Sequence, residues 1–207
     1  MILKRLQRWR HARGFGIHSP FAFHLITDVI YSKHAYYAFS DIEKILHEKQ
    51  INISDFRLHH LTYRLIRYFN PASVLAIGSG GGVSTLYIAS AMNDKIGYCL
   101  EINPEKRNRA EKLLQKHFDN IKFIYNIPSE KKYEGIVIDP KNSAVTPDEL
   151  FTKSADNCFW IISGINSGKG KQFWRKTVIL NKAVTFEMQS IGIVILNSKL
   201  NKRHYLI

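Results

Sequence analysis

The sequence predicts an α/β fold built on a doubly wound, mostly parallel sheet. Short apolar runs typical of buried strands alternate with helical patterns over residues 54–207. A run of glycines joins the first of these strands to the next helix, an arrangement that lets backbone N–H groups face a ligand. With 207 residues, 45% of them hydrophobic, the chain is long and apolar enough for one such domain and a modest extension.

The extension, residues 1–53, is predicted to form a basic arm and a helical cap in front of the domain at 54–207. Residues 1–14 carry Ile2, Leu3, Leu6 and Trp9 at helical spacing. This apolar side could contact nucleic acid or a membrane surface, or it could pack on the main domain. Further on, Ser19 followed by Pro20 predicts an N-cap and the first residue of a helix.

The second half of the extension is rich in aromatic residues. We predict a loop from Tyr31 to Phe39, followed by a helix that a capping box from Ser40 to Glu43 opens and that ends near Lys49. A further helix is predicted over Ser54–Phe69. It contains His59-His60, which point in different directions on a helix and are therefore expected on the surface or on a pocket wall.

The central unit begins with the apolar strand Val74–Ile77 and continues into the helical pattern Val83–Ala91. Four glycines and one serine separate the two elements: Gly78, Ser79, Gly80, Gly81 and Gly82. Glycine permits a positive φ and, lacking a Cβ atom, lets a nucleoside or phosphate come close to the main chain. A glycine run alone is a weak signal, because such turns also occur in ordinary loops.

A second unit follows at the distance that a nucleotide-binding fold requires. The strand Ile96–Leu100 ends in Glu101, and Asn103-Pro104 then predicts the capped start of a helix that reaches Phe118. A carboxylate at the tip of the second strand is placed to accept hydrogen bonds from a ribose diol. Loop, helix, strand and acid together favour a nucleoside-cofactor site.

The rest of the chain supplies further alternating elements. Thr146-Pro147 predicts another capped helix start, and the residues around Gly164–Gly170 lead into a helix bearing Phe173, Trp174 and Val178. That loop lacks the residue order of a phosphate-binding P-loop. The remaining strands are predicted at 121–125, 135–138, 159–162, 184–188 and 191–196.

The net charge of +13 is concentrated at the two ends of the chain. Residues 1–27 hold five Lys and Arg and no acid, whereas residues 157–207 hold eight against Glu187 alone. Such basic ends favour anionic partners, nucleic acid among them, although a solvated lysine-rich surface is the simpler interpretation.

The cysteines and the hydropathy of the chain indicate the cellular compartment to expect. Cys99 and Cys158 both lie in apolar strand patterns, which predicts buried thiols instead of a disulfide or a metal pair. No apolar stretch approaches the roughly 20 residues of a membrane span, and the first residues lack the core of a signal peptide. A cytoplasmic protein without an integral membrane segment is therefore expected.

The motif Gly78-x-Gly80-x-Gly82, followed by Glu101-Ile-Asn-Pro-Glu, resembles the first motif and second-strand acid of class I S-adenosylmethionine (SAM)-dependent methyltransferases. Tyr133–Pro140 is similar to the fourth strand of that superfamily, with its terminal acid at Asp139. The segments 16–23 and 191–196 resemble a little-characterised bacterial branch. This resemblance implies a seven-stranded Rossmann-like sheet with a reversed C-terminal strand and SAM as the cofactor.

The resemblance also implies roles for individual residues. Asp139 would orient the substrate or accept its proton, unless it is an ordinary turn carboxylate. His18, ahead of the first helix, is a second catalytic candidate, unless it caps neighbouring backbone. The residues expected to hold the cofactor are Gly78, Ser79, Gly80, Gly82, Glu101 and, after the third strand, Asn126.

The function expected from these residues is methyl transfer from SAM to an unidentified O or N nucleophile. No metal is predicted, because Ser163-Gly164 after the fifth strand offers no carboxylate. Ala76 stands where the superfamily usually has an acid. Two alternatives stay open: a non-catalytic scaffold or nucleic-acid-binding module of the same fold, and a nicotinamide-dependent oxidoreductase, whose usual glycine register is broken by Val83.

Overall fold

The computed structural model describes residues 8–53 and 55–207, and its centre is one eight-stranded sheet. The strand order is β3-β2-β1-β4-β5-β7-β6-β8, and β7 alone runs antiparallel to its neighbours. The doubly wound sheet and its reversed strand are thus confirmed. The strands are β1 (Ser73–Ile77), β2 (Ile96–Leu100), β3 (Ile121–Ile124), β4 (Tyr133–Ile138), β5 (Ser154–Ser163), β6 (Val184–Glu187), β7 (Ile191–Ile195) and β8 (His204–Leu206).

The helices that cover the sheet begin largely where the capping residues predict. Ser19, Asn103 and Thr146 each accept a hydrogen bond from a backbone N–H of the helix that follows. None of the helices in the described ranges is long and apolar enough to cross a membrane. The helices are α1 (Pro20–His24, continued by a wider π-type turn over Leu25–Ile30), α2 (Tyr37–Glu48), α3 (Arg57–Phe69), α4 (Val83–Met92), α5 (Pro104–Leu114), α6 (Pro147–Lys153) and α7 (Gly168–Ile179).

Several element boundaries differ from the prediction. Helix α2 begins at Tyr37, and Ser40 lies in its first turn, where its hydroxyl donates to the Tyr37 carbonyl at 2.8 Å. Burial of Phe39 against the core draws these aromatic residues into the helix, so the predicted capping box is wrong. An eighth strand, β8, pairs with β6 through Thr185 opposite His204, in a segment too short to show a strand period.

Apolar residues on both faces of the sheet pack under helices. Val74 and Ala76 of β1 belong to one core, while Leu75 and Ile77 face the other, as the alternation of side chains along a strand requires. The first core also holds residues of α1–α5, and the second holds residues of α6 and α7. Cys99 and Cys158 are free and buried within these cores, which confirms the predicted thiols.

The N-terminal segment (residues 8–19) lies against the β6–β8 edge of the sheet. Residues 1–7 of the predicted arm lie outside the described ranges, and residues 8–11 are helical. Arg8 donates to the Glu187 carboxylate at 2.8 Å, and the His11 Nδ1 atom lies 2.7 Å from the Leu206 carbonyl oxygen. Trp9 is 53% exposed. The other residues of the predicted apolar side, Ile2, Leu3 and Leu6, lie outside the described ranges.

Glu187 is the polar centre of this edge. The neighbouring His204 imidazole, the indole N–H of Trp174 at 2.9 Å and Arg8 hold the pKa of Glu187 at about 2, although partial burial opposes the shift. A carboxylate with a lowered folded-state pKa stabilises the protein above its unfolded-state pKa, and the contribution fades as pH falls through the folded-state value.

Replacing Glu187 by glutamine is therefore expected to lower the free energy of unfolding at pH 7 by about 1–3 kcal/mol. The difference from the parent protein should shrink between its usual pKa of 4.5 and about 2, where the parent carboxylate becomes protonated. Urea unfolding at several pH values measures it. Glu130→Gln, at an exposed loop residue, is the control and should show no such pH dependence. A constant difference between pH 7 and pH 3 would contradict the assignment.

Candidate functional site

The glycine loop between β1 and α4 adopts the conformation for which glycine is needed. Gly78, Gly80, Gly81 and Gly82 all have positive φ, between +57° and +102°. A Cβ atom at Gly78 or Gly81 would meet nothing within 4 Å, because these two residues border open space. At Gly82 it would lie 2.9 Å from the Cα atom of Ala110, so this glycine lets α5 approach the loop.

The Glu101 carboxylate fastens this loop to the end of β2. One of its oxygens accepts from the Ser79 backbone N–H at 2.9 Å and from the Ser79 hydroxyl at 2.7 Å, and the other accepts from Asn103 N–H at 3.0 Å. Burial acts to raise the pKa of Glu101, but these hydrogen bonds and nearby Lys106 outweigh it and the net shift is downward. Glu101 is thus a charged, oriented acceptor at neutral pH.

A cavity of about 600 Å³ opens above the glycine loop at the carboxyl ends of β1, β2 and β4. We call it the loop cavity. Four of the predicted site residues line it: Gly78, Gly80, Glu101 and Asp139. Ser79 and Gly82 are buried behind it, where they hold the loop in place. The carboxyl edge of a parallel sheet is where open α/β folds bind ligands.

Asp139 caps a turn and also lines the loop cavity. Its carboxylate accepts hydrogen bonds from the Lys141 backbone N–H at 3.0 Å and from the Asn142 amide at 2.8 Å, so it does cap the turn after β4. It also lines the loop cavity. These bonds fix the carboxylate at the cavity wall and restrict its rotation.

His18 does not lie at this site. It is exposed and lines a separate cavity with Val184, the first residue of β6. That cavity is at the amino end of a strand, whereas Gly78 follows the carboxyl end of β1. Strand β6 is also three strand positions away from β4, the strand that precedes Asp139, or about 14 Å across the sheet. The structure therefore does not bring His18 together with Asp139.

Asn126 follows β3 as predicted, but its side chain is exposed and it does not line the loop cavity. The strand before it is the first in the sheet order, so Asn126 lies beyond the edge of the site. Residues that the sequence prediction missed line the same wall. They are Ile102, which is 75% exposed, and two basic residues of α5, Lys106 in its first turn and Arg109 near its middle.

Beside the loop cavity lies a smaller one, of about 280 Å³, that the sequence prediction also missed. Leu58 and Ser163 line both, so the two are contiguous. His59 lines the smaller cavity; its ring stacks on Tyr87, with ring centroids 5.4 Å apart. The predicted position of this histidine on a pocket wall is confirmed.

The environment of His59 keeps its imidazole neutral at pH 7. Burial lowers the pKa of His59, nearby His60 lowers it further, and Asp55 partly opposes the shift. The Nδ1 atom lies 3.4 Å from the hydroxyl of Ser84, which lines the loop cavity. His59 is thus a neutral, half-buried base at the boundary between the two cavities.

Comparison with solved structures finds methyltransferases at low sequence identity. A methyltransferase from Geobacter sulfurreducens is 16% identical with a TM-score of 0.61, covering 80% of this chain and 91% of that one. The O-methyltransferase from Bacillus cereus, solved with S-adenosylhomocysteine (SAH), is 12% identical with a TM-score of 0.58, covering 82% and 95%. The O-methyltransferase of tomaymycin synthesis from Streptomyces achromogenes, solved with SAM, is 13% identical with a TM-score of 0.54, covering 80% and 92%.

No protein-family model and no curated protein matches the chain. The structural similarity is consistent with the strand order, in which the antiparallel β7 is inserted between β5 and β6. It also agrees with a glycine loop after β1 and an acid after β2. The chain has the Rossmann-like fold of the class I SAM-dependent methyltransferases.

Proposed function

We propose that the chain binds SAM in the loop cavity and transfers its methyl group to an O or N nucleophile. The observation that carries this proposal is that the open glycine loop and the charged, oriented Glu101 carboxylate, which is hydrogen-bonded to the loop, line the same cavity. Solved structures of the same fold contain SAM or SAH, which supports the choice of cofactor.

The residues present fit such a cofactor. Gly78 and Gly81 leave open the space that a side chain would fill, so an adenosyl or methionyl group can approach the main chain. Glu101 has a lone pair left on Oε1 to accept from a ribose hydroxyl, because Oε1 accepts from Asn103 N–H alone, whereas Oε2 already accepts two hydrogen bonds from Ser79. When bound, SAM supplies an electrophilic methyl group on a sulfonium.

The protein's own task is then to position the acceptor and remove a proton. The smaller cavity provides a place for the acceptor, because it opens onto the loop cavity at Leu58 and Ser163. Asp139 would orient the acceptor, and the neutral His59 imidazole would take its proton. We propose that no metal takes part, since the carboxyl end of β5 offers Ser163 and Gly164 where hard cations need carboxylates.

Calorimetric titration of SAH and SAM into the purified protein tests the proposal. We expect dissociation constants in the micromolar range, unchanged by EDTA, and their loss in Gly80→Trp, which places a bulky side chain at the cavity wall. NAD⁺ and NADP⁺ are the comparators, because Lys106 and Arg109 would also attract a phosphate. Tighter binding of either dinucleotide than of SAH would favour the oxidoreductase alternative.

Ile102 offers a sharper test of where the nucleoside lies. Its side chain is 75% exposed at the cavity wall beside Glu101, so it contributes little to the core. Ile102→Ala is expected to weaken SAH binding about tenfold, through lost apolar contact with the base, while leaving the unfolding temperature unchanged. The matched control is Ile179→Ala on α7, at a residue 80% exposed and away from the cavity. Equal SAH affinities in the two variants would contradict this placement.

A further inference from the structure

A second cavity, at the opposite edge of the sheet, has a strongly basic lining. It has a volume of about 580 Å³ and is formed at the amino ends of β6 and β8. Lys199, Lys202, Arg203 and His18 line it, and no Asp or Glu does. We call it the basic cavity. Since the loop cavity lies at the carboxyl ends of the strands, the two are separate sites, and a role for the basic cavity does not depend on the proposed methyl transfer.

The cations of the basic cavity are available to a ligand. Lys199, Lys202 and Arg203 are all exposed, and within residues 8–53 and 55–207 none of them forms a salt bridge. The sequence has no acid in residues 8–27 or 188–207. The acid of this edge, Glu187, lies at the far end of β6 from the basic cavity, where it pairs with Arg8 at 2.8 Å. The positive charge is therefore not neutralised locally, and an anion would meet a focused field in a concave site.

The N-terminal segment extends this basic surface along the sheet edge. Its end at His18 lines the basic cavity, and its start is fixed to the far ends of β6 and β8 by Arg8 on Glu187 and by His11 on Leu206. It thus spans the length of β6, four residues or about 10 Å. That length corresponds to about three nucleotides of a stacked strand, at 3.4 Å each.

Exposed aromatic side chains stand between basic residues in the sequence of the N-terminal segment. Trp9 and Phe15 are 53% and 58% exposed, and the Arg13 guanidinium lies 4.1 Å from the Trp9 ring centroid. Cations for the backbone and aromatic planes for the bases are the two components of sequence-tolerant binding to single strands. A bilayer surface is flat and would leave the concave basic cavity unfilled.

We propose that the basic cavity and the N-terminal segment together bind single-stranded nucleic acid. Lys199, Lys202 and Arg203 contact phosphates, and bases stack on the exposed aromatic rings of the N-terminal segment. Because these contacts use the backbone and any base plane, the site is not sequence-specific.

Fluorescence anisotropy with a labelled oligouridylate of about 12 nucleotides tests this, a length within the range that one binding fold covers. We expect micromolar affinity at low salt and a log–log salt slope of about −0.7 for each neutralised phosphate. The variant Lys199→Glu/Lys202→Glu/Arg203→Glu should bind at least tenfold more weakly and with a shallower slope. The absence of binding at low salt would overturn the proposal.

A matched control distinguishes binding at the basic cavity from a general effect of the protein's net charge. Lys112→Glu/Lys116→Glu/Lys122→Glu makes the same charge change at the opposite, β3 edge, where the three lysines are also exposed. We expect less than a threefold loss of affinity. Equal losses in the two triple variants would overturn the proposal, as would preferential binding to phosphatidylserine vesicles over the oligonucleotide.

Phe15→Ala is a second test of the proposal, and its result does not depend on whether the triple variant folds. Phe15 is largely exposed, so its removal should leave the unfolding temperature unchanged. Loss of one stacked base should weaken oligonucleotide binding about fivefold or more. Unchanged oligonucleotide affinity in this variant would contradict the proposed stacking of bases on the aromatic rings.

Discussion

Replacing Glu101 by alanine is expected to reduce SAH affinity by at least about 100-fold and to destabilise the fold by about 1–3 kcal/mol. The loss of affinity follows from the missing ribose acceptor and from release of the loop, since Ser79 N–H and Asn103 N–H would both lose their partner. Calorimetry and urea unfolding measure the two effects separately. Few single substitutions in this chain should affect both binding and stability so strongly.

Two further variants serve as a control and as an intermediate case for Glu101→Ala. Glu105→Ala removes an exposed acid from the first turn of α5 and should leave SAH affinity within a factor of two or so. Glu101→Gln keeps an acceptor oxygen for Ser79 but loses the charge, so its affinity should lie between those of the parent protein and Glu101→Ala. SAH affinity unaffected by Glu101→Ala would contradict the proposed cofactor site.

Gly82→Ala is expected to destabilise the protein far more than Gly81→Ala, although the two glycines are adjacent and both have positive φ. At Gly82 the new methyl group would lie 2.9 Å from the Ala110 Cα atom and 3.0 Å from Leu113, so α5 must move away from the loop. Backbone strain of about 1–2 kcal/mol and overpacking of about 1–3 kcal/mol then add, for a total of about 2–5 kcal/mol.

At Gly81 only the backbone strain applies, because no atom lies within 4 Å of the position of the new methyl group. A loss of about 1 kcal/mol is therefore expected there. Urea denaturation of the two variants side by side measures the difference. Equal losses would mean that α5 can shift at no cost, and that the close approach of α5 to the loop does not matter for stability.

The parts of the site that could be predicted from sequence are those whose signal is local. The glycine loop and Glu101 belong to consecutive elements, and strand, turn, helix and strand fix their relative positions within about thirty residues. Asp139 is predicted by a local motif too, because Tyr133–Pro140 resembles the fourth strand of class I methyltransferases and its terminal acid. The helix caps Asn103 and Thr146 could also be predicted, because each accepts a hydrogen bond from the backbone N–H of the residue three positions ahead.

The residues that were misplaced or missed depend on contacts between distant parts of the chain. His18 precedes the first strand by more than fifty residues, and nothing near it indicates that it packs at the amino end of β6. The smaller cavity is assembled from α3, the end of β5 and the turn between β6 and β7. The three-residue strand β8 depends entirely on the neighbouring β6 for its conformation.

The contacts that hold the N-terminal segment at the sheet edge also bear on the order of folding. Arg8 and Glu187 are 179 residues apart in the chain, and His11 and Leu206 are 195 apart. Closing loops of that length costs about 5 kcal/mol of chain entropy, which two hydrogen bonds do not repay on their own. The segment can therefore dock only after the sheet has brought the two ends together, so these contacts should form late and contribute more to the unfolding rate than to the folding rate.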